Sequence, residues 1–226
     1  FQKSVSIKPD YARASLWSGN ALYNLKRLDE SIGWYQKAIQ FEPANASAYY
    51  RLGLVYQDQE KYTEAEKSFK KAVELKPDDL NYKTELGNVY VNLQKFPDAI
   101  TVFNEVLRLN PNSYAANSGM GNAYYNNKKS AESIPFYKKA AEIDSSNAVA
   151  HQYLADAYLN SRQYASAIEW FNKAIALNPK GAMSYYGLGL TYYNMKNKTA
   201  ALAQYNKLKL LDTALAGRLL ELINKL

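Results

Sequence analysis

The chain has 226 residues, of which 47% are hydrophobic, so it carries enough apolar material for a buried core and is neither disordered nor fibrous. It contains no cysteine, which excludes disulfides, thiolate metal sites and thiol nucleophiles but fits either redox compartment. Its net charge of +7 is spread thinly along the chain, which disfavours nucleic acid as a partner, and no stretch of the sequence is apolar enough to span a membrane.

Residues of four kinds recur along the chain with a spacing of 34 residues, as from Gly19 to Gly53. The small residues are Gly19, Gly53, Gly87, Gly121, Ala155 and Gly189, and the prolines are Pro9, Pro43, Pro77, Pro111 and Pro179. The tyrosines are Tyr56, Tyr90, Tyr124, Tyr158 and Tyr192, and a further aromatic series is Tyr35, Phe69, Phe103, Tyr137, Phe171 and Tyr205. Because four independent series keep one register, the chain is predicted to consist of tandem repeats.

In chain order, residues 1–11 are predicted to be the remnant of the second helix of a preceding repeat. Six repeats are predicted to follow, at 12–45, 46–79, 80–113, 114–147, 148–181 and 182–215, and positions within each are numbered from 1. Residues 216–226 are predicted to form a C-terminal capping helix, because leucines recur there at helical spacing, at Leu215, Leu219, Leu222 and Leu226.

Each repeat is predicted to contain two antiparallel amphipathic helices. In the second repeat, Leu52, Gly53 and Tyr56 share one helical face, while Ala65 and Phe69 share a face of the next helix. Small residues at positions 8 and 20 let the two backbones approach closely, and the aromatic residue at position 24 fills the space beside them. Proline at position 32 cannot continue a helix, so it ends the second one.

The stretch from Tyr49 to Pro77, YYRLGLVYQDQEKYTEAEKSFKKAVELKP, resembles the consensus tetratricopeptide repeat (TPR) almost residue for residue. The resemblance covers nearly the whole chain. It implies an all-α fold, a right-handed superhelical solenoid of tandem helix-turn-helix repeats, with about thirteen helices and no strand. It also implies a module that binds another protein or peptide in the concave groove of the superhelix.

Few residues of the sequence offer catalytic chemistry. The single imidazole, His151, occupies position 4 of the fifth repeat, where the family places a large packing residue, so a structural role is expected. The sequence has no zinc-protease, serine-hydrolase or phosphate-loop motif. The chain is therefore predicted not to be an enzyme and to have no catalytic residue, metal site or cofactor.

The resemblance places positions 2, 5, 6, 9, 12 and 13 of each first helix in the concave groove. Asparagine recurs at positions 9 and 13, which are i, i+4 neighbours on one helical face. A carboxamide both donates and accepts hydrogen bonds, which suits the backbone of an extended peptide. The predicted partner-binding residues are Asn20, Asn24, Asn88, Asn92, Asn122, Tyr125, Asn126, Tyr153, Asp156, Asn160, Tyr186, Tyr193 and Asn194.

A second interpretation of the same asparagines stays open from the sequence. Position 13 lies near the end of the first helix, where asparagine is a favoured terminating residue. None of Asn88, Asn92, Asn122 and Asn126 is predicted to fill the core between two helices. Their replacement by alanine should therefore weaken partner binding with little loss of stability if they hold peptide, and should weaken the helix ends if they terminate helices.

The predicted function is an adaptor or scaffold whose groove holds a segment of another protein. Glycosyltransferases that attach single sugars to intracellular proteins carry TPR superhelices with a comparable asparagine ladder, so the alternative is the substrate-recruiting region of a larger enzyme. Nucleic-acid binding is a weaker third hypothesis, and the ends of the array also offer surfaces for self-association. The lysine and asparagine pattern that clamps the C-terminal carboxylate of heat-shock chaperones is absent from the sequence.

Overall fold

The structure, a computed structural model, describes the backbone of residues 2–226 and the side chains from Asp10 onward. This part of the chain forms thirteen α-helices and no strand, so the all-α prediction is confirmed. The first helices of the six repeats are α1 (Gln2–Asn24), α3 (Ala46–Asp58), α5 (Leu80–Asn92), α7 (Tyr114–Asn126), α9 (Ala148–Asn160) and α11 (Ala182–Asn194). The second helices are α2 (Leu28–Phe41), α4 (Tyr62–Leu75), α6 (Phe96–Leu109), α8 (Ser130–Ile143), α10 (Tyr164–Leu177) and α12 (Lys198–Leu208), and α13 (Thr213–Ile223) follows.

Side-chain caps begin four of the first helices, α3, α5, α7 and α9. The residue at position 34 of the preceding repeat accepts a hydrogen bond from a backbone N–H of the first turn, as when Ser113 Oγ accepts from Ala116 N over 3.2 Å. Asn45, Asp79 and Asn147 act in the same way before α3, α5 and α9. Each cap supplies an acceptor for a helix end that has no intrahelical partner, so these residues set where the first helices start.

The chain divides into two compact units, Phe1–Val106 and Leu107–Leu226. In the first unit, α1 packs on α2 and α3 packs on α4, and the two hairpins stack through α2 and α3. Tyr35, Leu52 and Val55 form a buried cluster where these two hairpins meet. A second cluster, of Ala72 and Tyr82, joins α4 to α5.

The second unit repeats this arrangement over three hairpins and α13. Leu154 of α9 packs into a buried cluster with Tyr137 of α8, and Phe171 of α10 packs with Leu188 of α11. The last hairpin is covered by α13, whose Leu219 is fully buried. Because each hairpin buries its apolar faces against its neighbours, the core is continuous within the unit.

The small residue at position 8 sits where two helices approach closely, as the repeat pattern predicts. A Cβ atom built on Gly53 would lie 2.7 Å from Phe69 Cε1, and one built on Gly121 would lie 2.5 Å from Tyr137 Cδ1. Gly189 differs, because its Cβ would instead meet Leu219 of α13 at 2.5 Å. Glycine is required at these sites because any side chain would overlap a ring or a methyl group.

The helix boundaries near both ends of the chain differ from the predicted ones. Helix α1 runs from Gln2 to Asn24 without a turn at Pro9, because proline keeps a helical φ and removes only one backbone hydrogen bond. The origin predicted for residues 1–11 stays a prediction, since Phe1 and the side chains before Asp10 lie outside the described residues. Helix α13 begins at Thr213 rather than at 216, because Asp212 caps it by accepting from Leu215 N over 2.9 Å.

Within residues 2–226, no helix combines the length and the apolar character that crossing a membrane requires.

Candidate functional site

The predicted binding residues lie on the first helices of both units. We call the side chains at positions 2, 5, 6, 9, 12 and 13 of these helices the first-helix face of a unit. In the first unit the predicted residues are Asn20 and Asn24 on α1 and Asn88 and Asn92 on α5. In the second unit, Asn122, Tyr125, Tyr153, Asp156 and Asn160 come together around Tyr137, while Tyr186, Tyr193 and Asn194 lie on α11.

The asparagines at position 13 are each the last residue of a first helix, and all five are exposed: Asn24, Asn92, Asn126, Asn160 and Asn194. The backbone of the following residues ends the helix. After α7, Lys128 takes a left-handed φ of 61° and its N–H donates to the Tyr125 carbonyl over 3.0 Å, while Lys129 N–H donates to the Tyr124 carbonyl over 2.9 Å. The other five first helices end with the same pair of bonds. The left-handed residue is therefore at position 15, and none of the described side chains at position 13 bonds to the backbone to end a helix.

Two of the asparagines at position 9 have a structural partner that the sequence analysis did not anticipate. The hydroxyl of Tyr137 donates to Asn122 Oδ1 over 2.7 Å, and that of Tyr35 donates to Asn20 Oδ1 over 2.9 Å. Both tyrosines are buried at position 24. Asn122 is only partly buried and does not fill the core between two helices, but a buried hydroxyl depends on its amide oxygen, so it also has a structural role.

Asn88, the third asparagine at position 9, has Phe103 at position 24 of its repeat and so lacks this partner. Its Nδ2 donates instead to Glu85 Oε2 over 3.2 Å, one turn earlier on α5. Asparagine at position 9 thus pairs with tyrosine at position 24 only in the first and fourth repeats. This coincidence is visible in the sequence and could have identified the structural pair.

Contacts between successive repeats also use the first-helix face. Asn160 Nδ2 donates to the hydroxyl of Tyr125, in the preceding repeat, over 2.6 Å. Tyr23 and Asp58 occupy the equivalent positions in the first unit, where burial and then the hydrogen bond to Asp58 raise the pKa of Tyr23 to about 12. In the first and fourth repeats, the tyrosine at position 12 therefore links its repeat to position 13 of the next one.

Apolar surface is exposed beside the amides on the same face. Tyr153 is 38% exposed, and Val149, one turn earlier on α9, and Met183 at position 2 of α11 are also exposed. On α1 the indole of Trp17, at position 6, is 66% exposed. The sequence analysis missed Trp17, Val149 and Met183, although their positions in the repeat place all three on the face. Exposed aromatic and apolar side chains beside polar groups are typical of sites that bind proteins.

A cleft of about 450 Å³ opens on the first-helix face of the second unit. It is lined by Tyr125, Asn126, Lys128, Ser130 and Asn160. The amides of Asn126 and Asn160 thus border the largest recess described on this face, next to the Tyr125 ring. A side chain of a bound segment could enter it while the amides bond to its backbone.

Asp156, at position 9 of the fifth repeat, is the carboxylate of this face with a raised pKa. Its carboxyl group is surrounded by protein atoms, although part of the residue stays accessible, and this burial raises its pKa to about 7. Gln152 Nε2 offers a long hydrogen bond of 3.5 Å to Oδ2. Burial, with a contribution from the Asp156 charge, also raises the pKa of the Tyr125 hydroxyl. Asp156 therefore interacts electrostatically with the neighbouring repeat.

His151 has the structural surroundings that the sequence predicted. It is buried, its Nε2–H donates to the carbonyl of Ser145 over 2.9 Å, and its ring packs on Trp170 with centroids 5.2 Å apart. Among the described side chains, no group of three His, Asp or Glu residues converges to hold a metal ion.

Models of one repeat family match nearly all of the chain. Matches described as TPR repeat or tetratricopeptide repeat cover residues 19–60, 46–79, 84–148, 136–169, 162–196 and 182–214. No curated protein is similar enough in sequence to count as a match.

Solved structures of similar fold span most of the chain at low sequence identity. PilW, a widely conserved type IV pilus biogenesis factor, is 17% identical with a TM-score of 0.79, over 88% of this chain and 92% of that one. PilF of Pseudomonas aeruginosa is 16% identical with a TM-score of 0.75, over 91% and 94% of the two chains. YrrB, a TPR protein with an unusual peptide-binding site, is 21% identical with a TM-score of 0.55, over 96% and 95%. The repeat models and the all-α repeat fold together show that the chain belongs to the tetratricopeptide repeat family.

Proposed function

We propose that this chain is a protein-interaction scaffold that holds a segment of a partner protein on the first-helix face. The observation that carries the proposal is the row of exposed asparagines at position 13, whose amides are not needed to end the helices. Asn160 bonds to Tyr125, but none of the other four amides forms a hydrogen bond among the described side chains, and this recurrence of exposed amides supports a role in binding.

The chemistry of the face fits a protein segment better than a small molecule or nucleic acid. The amides of Asn126 and Asn194 can donate to and accept from a peptide backbone, and the exposed side chains of Val149, Tyr153 and Met183 can pack against its apolar residues. Helices α7, α9 and α11 contain no lysine or arginine, which weighs against phosphate as the ligand of the second unit's face.

The comparisons support the class of function without naming a partner. The models that match the chain are repeats, and no catalytic family is among them. YrrB, which has a similar fold, is a TPR protein with a peptide-binding site. We therefore place this chain among interaction modules rather than enzymes.

A comparative capture experiment tests the proposal. Beads carrying the parent chain, the face variant Asn126→Ala/Asn194→Ala or the control variant Asn172→Ala/Asn206→Ala are incubated with extract of the source cells. Asn172 and Asn206 are exposed asparagines on the second helices α10 and α12, so the control removes the same two amides from outside the face. Captured proteins are quantified by mass spectrometry.

The parent and the control should retain the same proteins, and the face variant should retain them about tenfold less, because two lost amides remove roughly 1–3 kcal/mol of hydrogen bonding. Equal capture by all three forms would show that the first-helix face does not bind the partner.

A further inference from the structure

Asp156 replaces asparagine at position 9 of the fifth repeat and is the only carboxylate on α7, α9 and α11. Its carboxyl group lies among the rings of the face. Tyr125 of α7 and Tyr153 of α9 flank the buried ring of Tyr137, with centroids 6.3 Å and 5.8 Å from it, and the Asp156 charge acts on both Tyr125 and Tyr137. The carboxylate thus lies close enough to two tyrosine hydroxyls to raise their pKa, and Tyr153 precedes it by three residues on the same helix.

No cation compensates this carboxylate among the side chains that the structure describes. Lys173 on α10 pairs with Glu169 at 2.7 Å, and Lys128 lines the neighbouring cleft without pairing to Asp156. Gln152 supplies only the long bond of 3.5 Å. A buried carboxylate without a cation is costly, and proteins usually pair or neutralise one.

Glu66 in the first unit is a buried carboxylate of the same chain that is paired with cations in the usual way. It is buried, and its two carboxylate oxygens accept from Lys70 at 2.6 Å and from Lys95 at 2.7 Å. Burial alone would raise the pKa of Glu66, but the two lysines outweigh it and hold that pKa below its ordinary value. Asp156, whose pKa burial raises, has none of this compensation among the described side chains.

We propose that Asp156, with the rings of Tyr125 and Tyr153, forms a subsite for a lysine or arginine side chain of the bound protein segment. This inference rests on the proposed function, since it specifies what the first-helix face recognises. The carboxylate supplies a charged acceptor, and the faces of the tyrosines attract a cation and pack against its methylene stem. Charge complementarity favours a basic side chain at this subsite, because the uncompensated carboxylate would repel an acidic or phosphorylated one.

The subsite predicts that binding releases a proton. Burial raises the pKa of Asp156 to about 7, and a cation beside it favours the charged form. If the cation binds only the ionised carboxyl group, affinity should rise about tenfold from pH 6 to pH 8, because about a tenth of the free carboxyl groups are ionised at pH 6 and about nine-tenths at pH 8.

The titratable groups on which the Asp156 charge acts are tyrosine hydroxyls. Tyr125 on α7, Tyr137 on α8 and Tyr153 on α9 face it, and burial raises the pKa of Tyr125 and of Tyr137, so both stay neutral over this range. On α10, Glu169 and Lys173 bond to each other, and α11 carries tyrosines and no charged residue. The charged residues of α8 are Glu132, Lys138, Lys139 and Glu142, and none of them forms an ion pair with Asp156 among the described contacts. His151 lies on α9 but bonds to Ser145 and packs on Trp170.

A peptide selection tests the subsite. Random 12-residue peptides displayed on phage are selected at pH 7.5 against the full parent chain, Asp156→Asn and the control Asp78→Asn, which changes an exposed aspartate in the turn between α4 and α5. Peptides selected by the parent and by Asp78→Asn should share a lysine or arginine at one position, and Asp156→Asn should select peptides without it. The parent's best peptide should bind Asp156→Asn at least tenfold more weakly by fluorescence anisotropy.

A second measurement does not depend on how the variant folds. On the parent chain, affinity for the selected peptide should rise about tenfold between pH 6 and 8, and the same peptide with glutamine at the basic position should show no such rise. His151→Gln should keep the pH dependence.

The outcomes separate this inference from the function on which it rests. Peptides that share no basic position, or that bind Asp156→Asn as tightly as the parent, would overturn the subsite and leave the scaffold function standing. If no peptide is selected, or if Asn126→Ala/Asn194→Ala binds the selected peptides as tightly as the parent, the proposed function fails and the subsite fails with it.

Discussion

Glu66 and Asp156 show at the scale of single residues how a neighbouring cation decides the state of a buried carboxylate. Both are acids within helices, and the local sequence differs in that Glu66 has Lys70 at i+4 whereas Asp156 has Asn160 there. Glu66 meets one lysine on its own helix and a second from the next repeat, whereas Asp156 meets tyrosines. The second lysine of Glu66 and the tyrosines near Asp156 on α7 and α8 come from other parts of the chain, so these contacts become visible only in the folded protein.

The first prediction is that Asp156→Asn stabilises the free chain, and more so as the pH rises. The pKa of Asp156 is raised from 3.8 to about 7 by folding, so between these values the folded state keeps a proton that the unfolded state has lost. The parent therefore loses stability as the pH rises from about 4 to 7, whereas the variant does not, and the difference should reach roughly 2–4 kcal/mol above pH 7. Urea unfolding of both proteins at pH 4.5 and 8 measures it.

Glu66→Gln is the matched control with the opposite sign. Because folding lowers the pKa of Glu66, its ionised form stabilises the folded chain above the ordinary value of 4.5, and this stabilisation is lost as the pH falls through the lowered pKa. The control should therefore be less stable than the parent at pH 8. A difference between Asp156→Asn and the parent that is the same at pH 4.5 and 8 would refute the prediction for Asp156.

A second prediction at this scale separates the two kinds of asparagine. Asn122→Ala leaves the buried hydroxyl of Tyr137 without its acceptor and should cost about 1–3 kcal/mol, whereas Asn126→Ala removes an exposed amide and should change stability by less than about 0.5 kcal/mol. Denaturant unfolding compares them. Tyr137→Phe should restore much of the loss in Asn122→Ala, since phenylalanine occupies position 24 in three other repeats. No recovery in the double variant would mean that the hydrogen bond is not the cause.

At the scale of the helical element, the glycine at position 8 sets how closely two helices of a hairpin approach. Gly121→Ala places a Cβ 2.5 Å from the Tyr137 ring and should cost about 1–3 kcal/mol, and the larger Gly121→Leu should cost no less. Gly33 in α2 is exposed and has nothing within 4 Å of its Cβ position, so Gly33→Ala should instead stabilise by about 0.5–1 kcal/mol. The two melting temperatures should move in opposite directions. A Gly121→Ala variant as stable as the parent would contradict the packing described.

At the scale of the whole molecule, the repeat grid allowed the helices and their faces to be predicted because each repeat specifies its own hairpin. The way in which the first helices end was harder to predict from the sequence, since the left-handed residue at position 15 is never glycine and thus carries no sequence signal. The surroundings of Asp156 could not be predicted from the sequence, because the side chains near its carboxylate come from three helices. The continuous α1 was missed because proline ends helices elsewhere on the grid. The placement of the asparagines in a partner-binding groove and their role in binding both stay predictions.

The central claim is that the exposed amides of the first-helix face bind a partner and do not hold the helices together. The most direct measurement takes the peptide selected by the parent chain and determines its affinity by calorimetry for the parent, Asn126→Ala/Asn194→Ala and Asn172→Ala/Asn206→Ala, together with the melting temperature of each protein. The account predicts about tenfold weaker binding for the face variant alone, with all three melting temperatures within about 2 °C of one another. A face variant that melts at a clearly lower temperature but binds the peptide with the affinity of the parent would contradict it.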